Sequence, residues 1–203
     1  MSFLRRRAQE GDGRWVVVGL GNPGDRYAAT RHNAGVVVVE ELVRRVGGKL
    51  KNHRSGCLVV EGHLGGESCV VARTTSYMNE SGRPVRQLAT FYKTEVEQLI
   101  VVHDELDIPF GEIRVKSGGG TAGHNGLKSV AQHMSSKDFI RVRFGIGRPR
   151  GGGDPVSYVL DRFSGSERKE LPSLVDRAAD AVEKVIGSGV EAAMNEFNTR
   201  DRG

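Results

Sequence analysis

The amino-acid sequence predicts an α/β fold: one three-layer domain in which a mixed, twisted sheet lies between helices. Three observations carry this. Short apolar, β-branched runs alternate along the chain with longer stretches of helical periodicity, the pattern of a sheet covered on both faces. The 203 residues are enough for one full core. No internal repeat or long linker divides them, and the glycine triplet at 151–153 reads as a loop. The expected organisation is a flexible tail over residues 1–14, then a single domain over 15–203 that ends in a helical segment.

Residues 15–18 are apolar and β-branched and form the first buried strand. In "NAGVVVVEELVRRV" (33–46), Val38, Leu42, Val43 and Val46 fall at helical spacing, and Gly47-Gly48 stops the helix. "CLVVEG" and "SCVVAR" flank Gly65-Gly66 and predict a hairpin. Pro84 suits the first turn of a helix running to about Tyr92. "LIVV" (99–102) is a further buried strand and "EIRVK" (112–116) a polar one. "NGLKSVAQHM" (125–134) is helical. "FIRVRFGIG" (139–147) alternates, so Arg141 and Arg143 share a strand face. A last strand is expected over 156–163. Helix follows over 166–198, interrupted near Gly187-Ser188-Gly189.

Composition narrows the class. No apolar run approaches the roughly 20 residues of a membrane span, and the start, "MSFLRRRAQEGDGR", lacks the apolar region of a secretory signal. A cytoplasmic protein is expected. Cys57 and Cys69 sit in no metal-ligand spacing and read as two buried thiols. The net charge of +5 is uneven: residues 111–150 hold eight Lys/Arg against two Asp/Glu, residues 151–203 seven against ten. A basic middle points to a localised anionic partner such as a nucleic acid.

Glycine is the compositional outlier, with 28 residues concentrated beside unusual polar groups. Gly19, Gly21 and Gly24 have dinucleotide-loop spacing. However, Pro23 biases Asn22 away from helix, and Glu40 and Glu41 lie inside a helix rather than at the end of a second strand. No nicotinamide or flavin is expected. Gly118 and Gly123 have phosphate-loop spacing, but His124 and Asn125 stand where Lys and Ser/Thr belong, so the loop is no NTPase site. Asp104 ends the "LIVV" strand, Asn22 follows the first strand, and Asn79 follows the strand ending near Arg73. Open α/β sheets bind ligands at that edge, so these three side chains are expected to converge. His32 follows one loop after Asn22, and a His–Asp pair can activate water. There is no G-x-S-x-G elbow, so any hydrolysis would be direct attack by water. Asp104, Glu105 and Asp107 could hold a metal, but no second ligand cluster supports it.

Four blocks, "VGLGNPGDRYAATRHNAG", "YMNESG", "HDELDIPFGEIRVKSGGGTAGHNGLKS" and "RVRFGIGRP", resemble in content and order the signatures of bacterial-type peptidyl-tRNA hydrolases. They span residues 16–149. The family commonly has Pro where Thr74 stands and Thr where Ser76 stands. The resemblance implies cleavage of the ester joining a peptide to the 3′ ribose of tRNA, with no cofactor and no metal, by a monomer with no membrane partner. It implies His32 as catalytic base and Asp104 as the residue that orients it. Asn22, Asn79 and Asn125 would line the peptide and acyl end, with Tyr27 and Met78 as wall residues. Lys116 and Arg143 would grip a tRNA phosphate. Asn125, reached through bare glycines, is the first candidate to donate to a developing oxyanion, while Arg141 reads as a solvated strand face. The alternatives are a non-hydrolytic RNA-binding relative and a metal-dependent nuclease built on the "HDELD" acids.

Overall fold

The computed structural model describes residues 13–198. Seven strands form one mixed sheet, in the spatial order β2-β3-β4-β1-β5-β7-β6. β1 (Trp15–Gly19) lies between β4 (Glu67–Thr74) and β5 (Leu99–Glu105), parallel to both, with Val17 level with Val71 and Ile100. β7 (Ile140–Gly145) continues parallel beside β5. Antiparallel partners close the two edges: β2 (Lys51–Asn52) and β3 (Cys57–Leu64) on one side, β6 (Ile113–Ser117) on the other.

Alternation along the strands sends side chains into two cores. On one face, α1 (Ala34–Val46), α5 (Gly165–Ser188) and α6 (Val190–Phe197) bury Val38, Leu42 and Val182 against Val17, Ile100 and Val142. On the other, α2 (Gly82–Phe91) and α3 (Asn125–Met134) bury Val85, Leu88 and Val130 against Val16, Val18 and Val101. The three-layer expectation therefore holds. Gly47, at φ +76°, ends α1 in the left-handed conformation that favours glycine. Cys57 and Cys69 are free and buried.

One element differs from expectation. Residues 155–160 form a helix, α4 (Pro155–Leu160), not a strand. The Asp154 side chain accepts from the backbone N–H groups of Val156 and Ser157 at 3.2 and 3.0 Å, and Pro155 occupies the first turn. An N-cap followed by proline fixes a helical start more firmly than the β-branched residues after it favour a strand. Strand character survives as one bridge, between Thr30 and Arg162. Of the expected tail, residues 1–12 lie outside the described residues. Arg14 is fastened: its carbonyl accepts from Thr94 Oγ1 at 2.8 Å.

Candidate active site

The C-terminal ends of β1, β4 and β5 open into a cavity of about 690 Å³. β5 delivers Asp104, which is 3% exposed. The turn Arg31–Asn33, just before α1, delivers His32, and His124 arrives as the N-cap of α3. Asp104 lies between the two imidazoles. His32 Nδ1 donates to its carboxylate, 3.0 Å from each oxygen, and His124 Nε2 donates to Oδ1 at 2.9 Å. Burial raises the carboxyl's pKa, but the two imidazoles outweigh it and hold Asp104 below the usual carboxylate range. The ionised acid can then fix both rings. With Nδ1 committed, His32 Nε2 has no protein partner among the described residues, and the ring lines the cavity.

A third histidine backs this pair. His103 is buried, and its Nδ1 donates to the Asp104 carbonyl at 2.7 Å. Burial first, and then the neighbouring His124, push its pKa down to about 3, so it is neutral. Its ring meets that of His124 edge-on, with centroids 5.1 Å apart.

Asn22, Asn79 and Asn125 all line the cavity with His32, Asp104 and Met78. Asn22 is also structural. Its Oδ1 accepts from Met78 N at 2.8 Å, while its own backbone is clasped by the Asn33 side chain through bonds of 2.8 and 2.9 Å. The asparagine that ends the β1 loop therefore hangs the Met78–Glu80 turn over the site. Asn79 and Asn125 are exposed and carry no side-chain hydrogen bond among the described residues, so their amides are available to a ligand. Across the cavity, α4 contributes an apolar wall of Pro155, Val156, Val159 and Leu160.

Tyr27 is not among the residues that line this cavity. Its hydroxyl accepts from Arg26 at 2.6 Å, and the Arg26 guanidinium covers its ring at 4.4 Å. Lys116 and Arg143 lie outside the cavity, on β6 and β7. Lys116 is exposed, whereas Arg143 is bound to Glu105 at 3.1–3.2 Å. Arg141 is not solvated: it is 3% exposed, and its guanidinium donates to the Gly119 and Gly120 carbonyls at 2.5 Å each. The glycine-rich loop folds back onto this strand face and covers it.

The acids of "HDELD" are dispersed, with Glu105 on Arg143 and Asp107 on Arg148. Among the described residues, the metal-type ligand atoms that do gather, within 4.8 Å of one another, belong to His32, Asp104 and His124. The contacts of all three serve the hydrogen bonds just described. Sequence reasoning does not assign His124 to the site, because its partner Asp104 lies on a strand 20 residues earlier. Its signal is local: a side chain able to accept, between a glycine loop and a helix start, where it takes Leu127 N at 3.3 Å.

The sequence profile of the family described as peptidyl-tRNA hydrolase matches residues 16–203. The peptidyl-tRNA hydrolase of Frankia casuarinae is 54% identical over 188 residues, 93% of this chain and 95% of its own. That of Mycobacterium avium is 54% identical over 181 residues, 89% of this chain and 95% of its own. The crystal structure of the Acinetobacter baumannii peptidyl-tRNA hydrolase matches with a TM-score of 0.85 at 37% identity, covering 92% of this chain and 95% of that one. The sequence match runs from β1 past α6 and takes in every element that builds the cavity: the chain belongs to the peptidyl-tRNA hydrolase family.

Proposed function

We propose that this chain hydrolyses the ester between the peptide and tRNA of peptidyl-tRNA, with His32 as general base and no metal. The observation that carries the chemistry is the buried Asp104 carboxylate, which commits His32 Nδ1–H and leaves Nε2 toward the cavity. Nε2 takes a proton from water as the water oxygen bonds to the ester carbonyl carbon. Asp104 stabilises the imidazolium that forms. The carbon–oxygen bond to the 3′ ribose then breaks, and the imidazolium returns its proton to the departing oxygen. An ester leaves more readily than an amide, so no serine nucleophile is needed, and general base catalysis contributes about 10²–10⁴-fold.

The rest of the cavity fits an N-acylated substrate. Asn125 and Asn79 offer amide donors to the developing oxyanion and to the peptide backbone. The α4 wall of Val156, Val159 and Leu160 accepts varied side chains without reading them. Lys116 and Arg143 contact phosphate, Arg143 by exchanging Glu105 for it. Localisation in the cytoplasm and a monomeric state belong to this reading.

The deciding assay compares an N-acetylated aminoacyl-tRNA with the matching free aminoacyl-tRNA. The first is cleaved and the second is nearly spared, and His32→Ala abolishes nearly all turnover. Retention of most activity by His32→Ala would overturn the mechanism. Binding without hydrolysis by the parent would favour a non-catalytic RNA-binding relative.

A further inference from the structure

The two layers that flank the sheet differ in charge. The layer of α1, α5 and α6 carries nine acidic and six basic side chains. The layer of α2 and α3 carries Arg83, Arg86 and Lys128 and no acid at all. These three side chains are exposed, and none makes an ion pair among the described residues. On the opposite layer, by contrast, Arg44 and Arg45 are held by Glu41, and Arg45 also by Asp176, Asp180 and Glu183.

Alternation on β6 and β7 places Lys116 and Arg143 on the α2–α3 side of the sheet, because Val115, Val142 and Phe144 face the other core. At the far end, the turn between β2 and β3 brings Arg54 onto Phe91, the last residue of α2. Phe91 is 45% exposed, and the Arg54 guanidinium sits 4.5 Å over its ring. His53 packs edge-on to the same ring at 4.7 Å. His53, Arg54, Arg86 and Phe91 line a shallow depression of about 380 Å³. α2 begins just after the Met78–Glu80 turn at the cavity, and ten residues at 1.5 Å each place Phe91 about 15 Å away.

An unpaired basic face that starts at the catalytic cavity complements a polyanion whose end enters that cavity. The Arg54 guanidinium over that ring makes no hydrogen bond or ion pair among the described residues, so its N–H groups are free for phosphate oxygens. We propose that the α2–α3 face docks the RNA body of the substrate, and that Arg54 and Arg86, with Phe91 beneath Arg54, hold its phosphate backbone about 15 Å from the cavity. The proposal rests on the reading of the chain as a peptidyl-tRNA hydrolase.

The test is the full chain carrying Arg54→Ala and Arg86→Ala together, assayed on N-acetylaminoacyl-tRNA and on the N-acetylaminoacyl ester of the trinucleotide CCA. On tRNA, KM rises roughly tenfold, kcat holds, and the salt dependence flattens by about one log unit per arginine. On the CCA ester neither constant moves. The pair Arg44→Ala and Lys184→Ala, which changes net charge equally on the opposite layer, leaves KM for tRNA alone. Equal KM and salt slope for parent and variant on tRNA would overturn the proposal. So would an equal loss on the CCA ester, or an equal rise of KM in the control pair. If the parent cleaved neither substrate, the catalytic reading would fail. Binding of deacylated tRNA, lost in the variant, would still uphold the surface. Unchanged tRNA binding with lost binding to phosphatidylglycerol vesicles would assign the face to a membrane instead and overturn the proposal.

Discussion

Asp104→Asn tests the arrangement most directly, because the substitution keeps the shape and changes the hydrogen-bond arithmetic. The carboxylate accepts from two imidazole N–H groups, at 3.0 Å and 2.9 Å. An amide has one accepting oxygen, and its NH2 group can only donate. His124 reaches only Oδ1, whereas His32 Nδ1 lies 3.0 Å from both oxygens, so with the amide oxygen at the Oδ1 position the NH2 group stands against His32 Nδ1. His124 holds the oxygen in that place, because its Nδ1 accepts from Leu127 N, which fixes the proton on Nε2. His124 keeps the oxygen and His32 meets the NH2 group. The His32 proton then moves to Nε2, where the lone pair for water had been. The expected result is loss of the general-base contribution, about 10²–10⁴-fold in kcat, with KM changed by less than about twofold, since Asp104 does not touch the leaving tRNA. Adding His124→Ala frees the amide oxygen for His32 Nδ1–H, and the double variant recovers roughly tenfold, the worth of one hydrogen bond. Single-turnover hydrolysis of N-acetylaminoacyl-tRNA, with a thermal melt for each variant, makes the measurement. A folded Asp104→Asn that keeps more than about a tenth of the parent kcat, or a double variant no faster than the single one, would refute the tautomer argument.

Four further outcomes follow from the same contacts. The folded pKa of Asp104 lies below its unfolded value, so its stabilising contribution is complete above about pH 4 and is lost as pH falls further; the difference in Tm between parent and Asp104→Asn should narrow below pH 4. Asn33→Ala removes both bonds that clasp Asn22; a loss of about 1–3 kcal/mol lowers Tm by roughly 2–12 °C, and kcat/KM falls because the Met78–Glu80 turn hangs from Asn22. Lys116→Ala and Arg143→Ala each flatten the salt dependence of tRNA binding by about one log unit, but only Arg143→Ala lowers Tm, because it strands the buried Glu105. Burial pushes the thiols of Cys57 and Cys69 up to about 11; a thiol reagent at pH 8 should label neither until the chain is unfolded, and fast labelling of the native protein would contradict the packing.

What could be read from the sequence, and what could not, divides along the range of the forces involved. β1, the β3–β4 hairpin, α1 and α3 are set by periodicity and end signals within each segment, and those signals agreed. At 155–160 two local signals competed, and the Asp154 cap with Pro155 prevailed over the β-branched residues. Asn22, Asn79 and Asp104 could be placed at one edge because each stands at or just beyond the end of a strand, and a parallel sheet aligns its strand ends. His124, Arg141 and Tyr27 could not be placed. His124 matters through a bond to a strand 20 residues earlier. Arg141 is buried by a loop that folds over a strand face that alternation alone would leave wet. Tyr27 pairs with its neighbour Arg26 and is not among the residues that line the cavity.

The opening glycines show how a local motif serves a tertiary distance. Among Gly19, Gly21 and Gly35 the common property is contact with backbone or packed side chains where a Cβ would stand. At Gly35 a Cβ would collide with the Val102 carbonyl oxygen and lie 2.7 Å from Leu20 N; at Gly21 it would lie 2.5 Å from Val36 Cγ2. The first turn of α1 therefore rests directly on β1 and β5. His32 stands three residues before Gly35, and Asp104 two residues after Val102. That backbone contact fixes how closely the segments carrying His32 and Asp104 approach, and their side chains meet at 3.0 Å. A general base loses its advantage when it is displaced by an ångström, and this site fixes the distance with groups too small to adjust. The glycines thus help set the His32–Asp104 geometry on which the proposed mechanism depends.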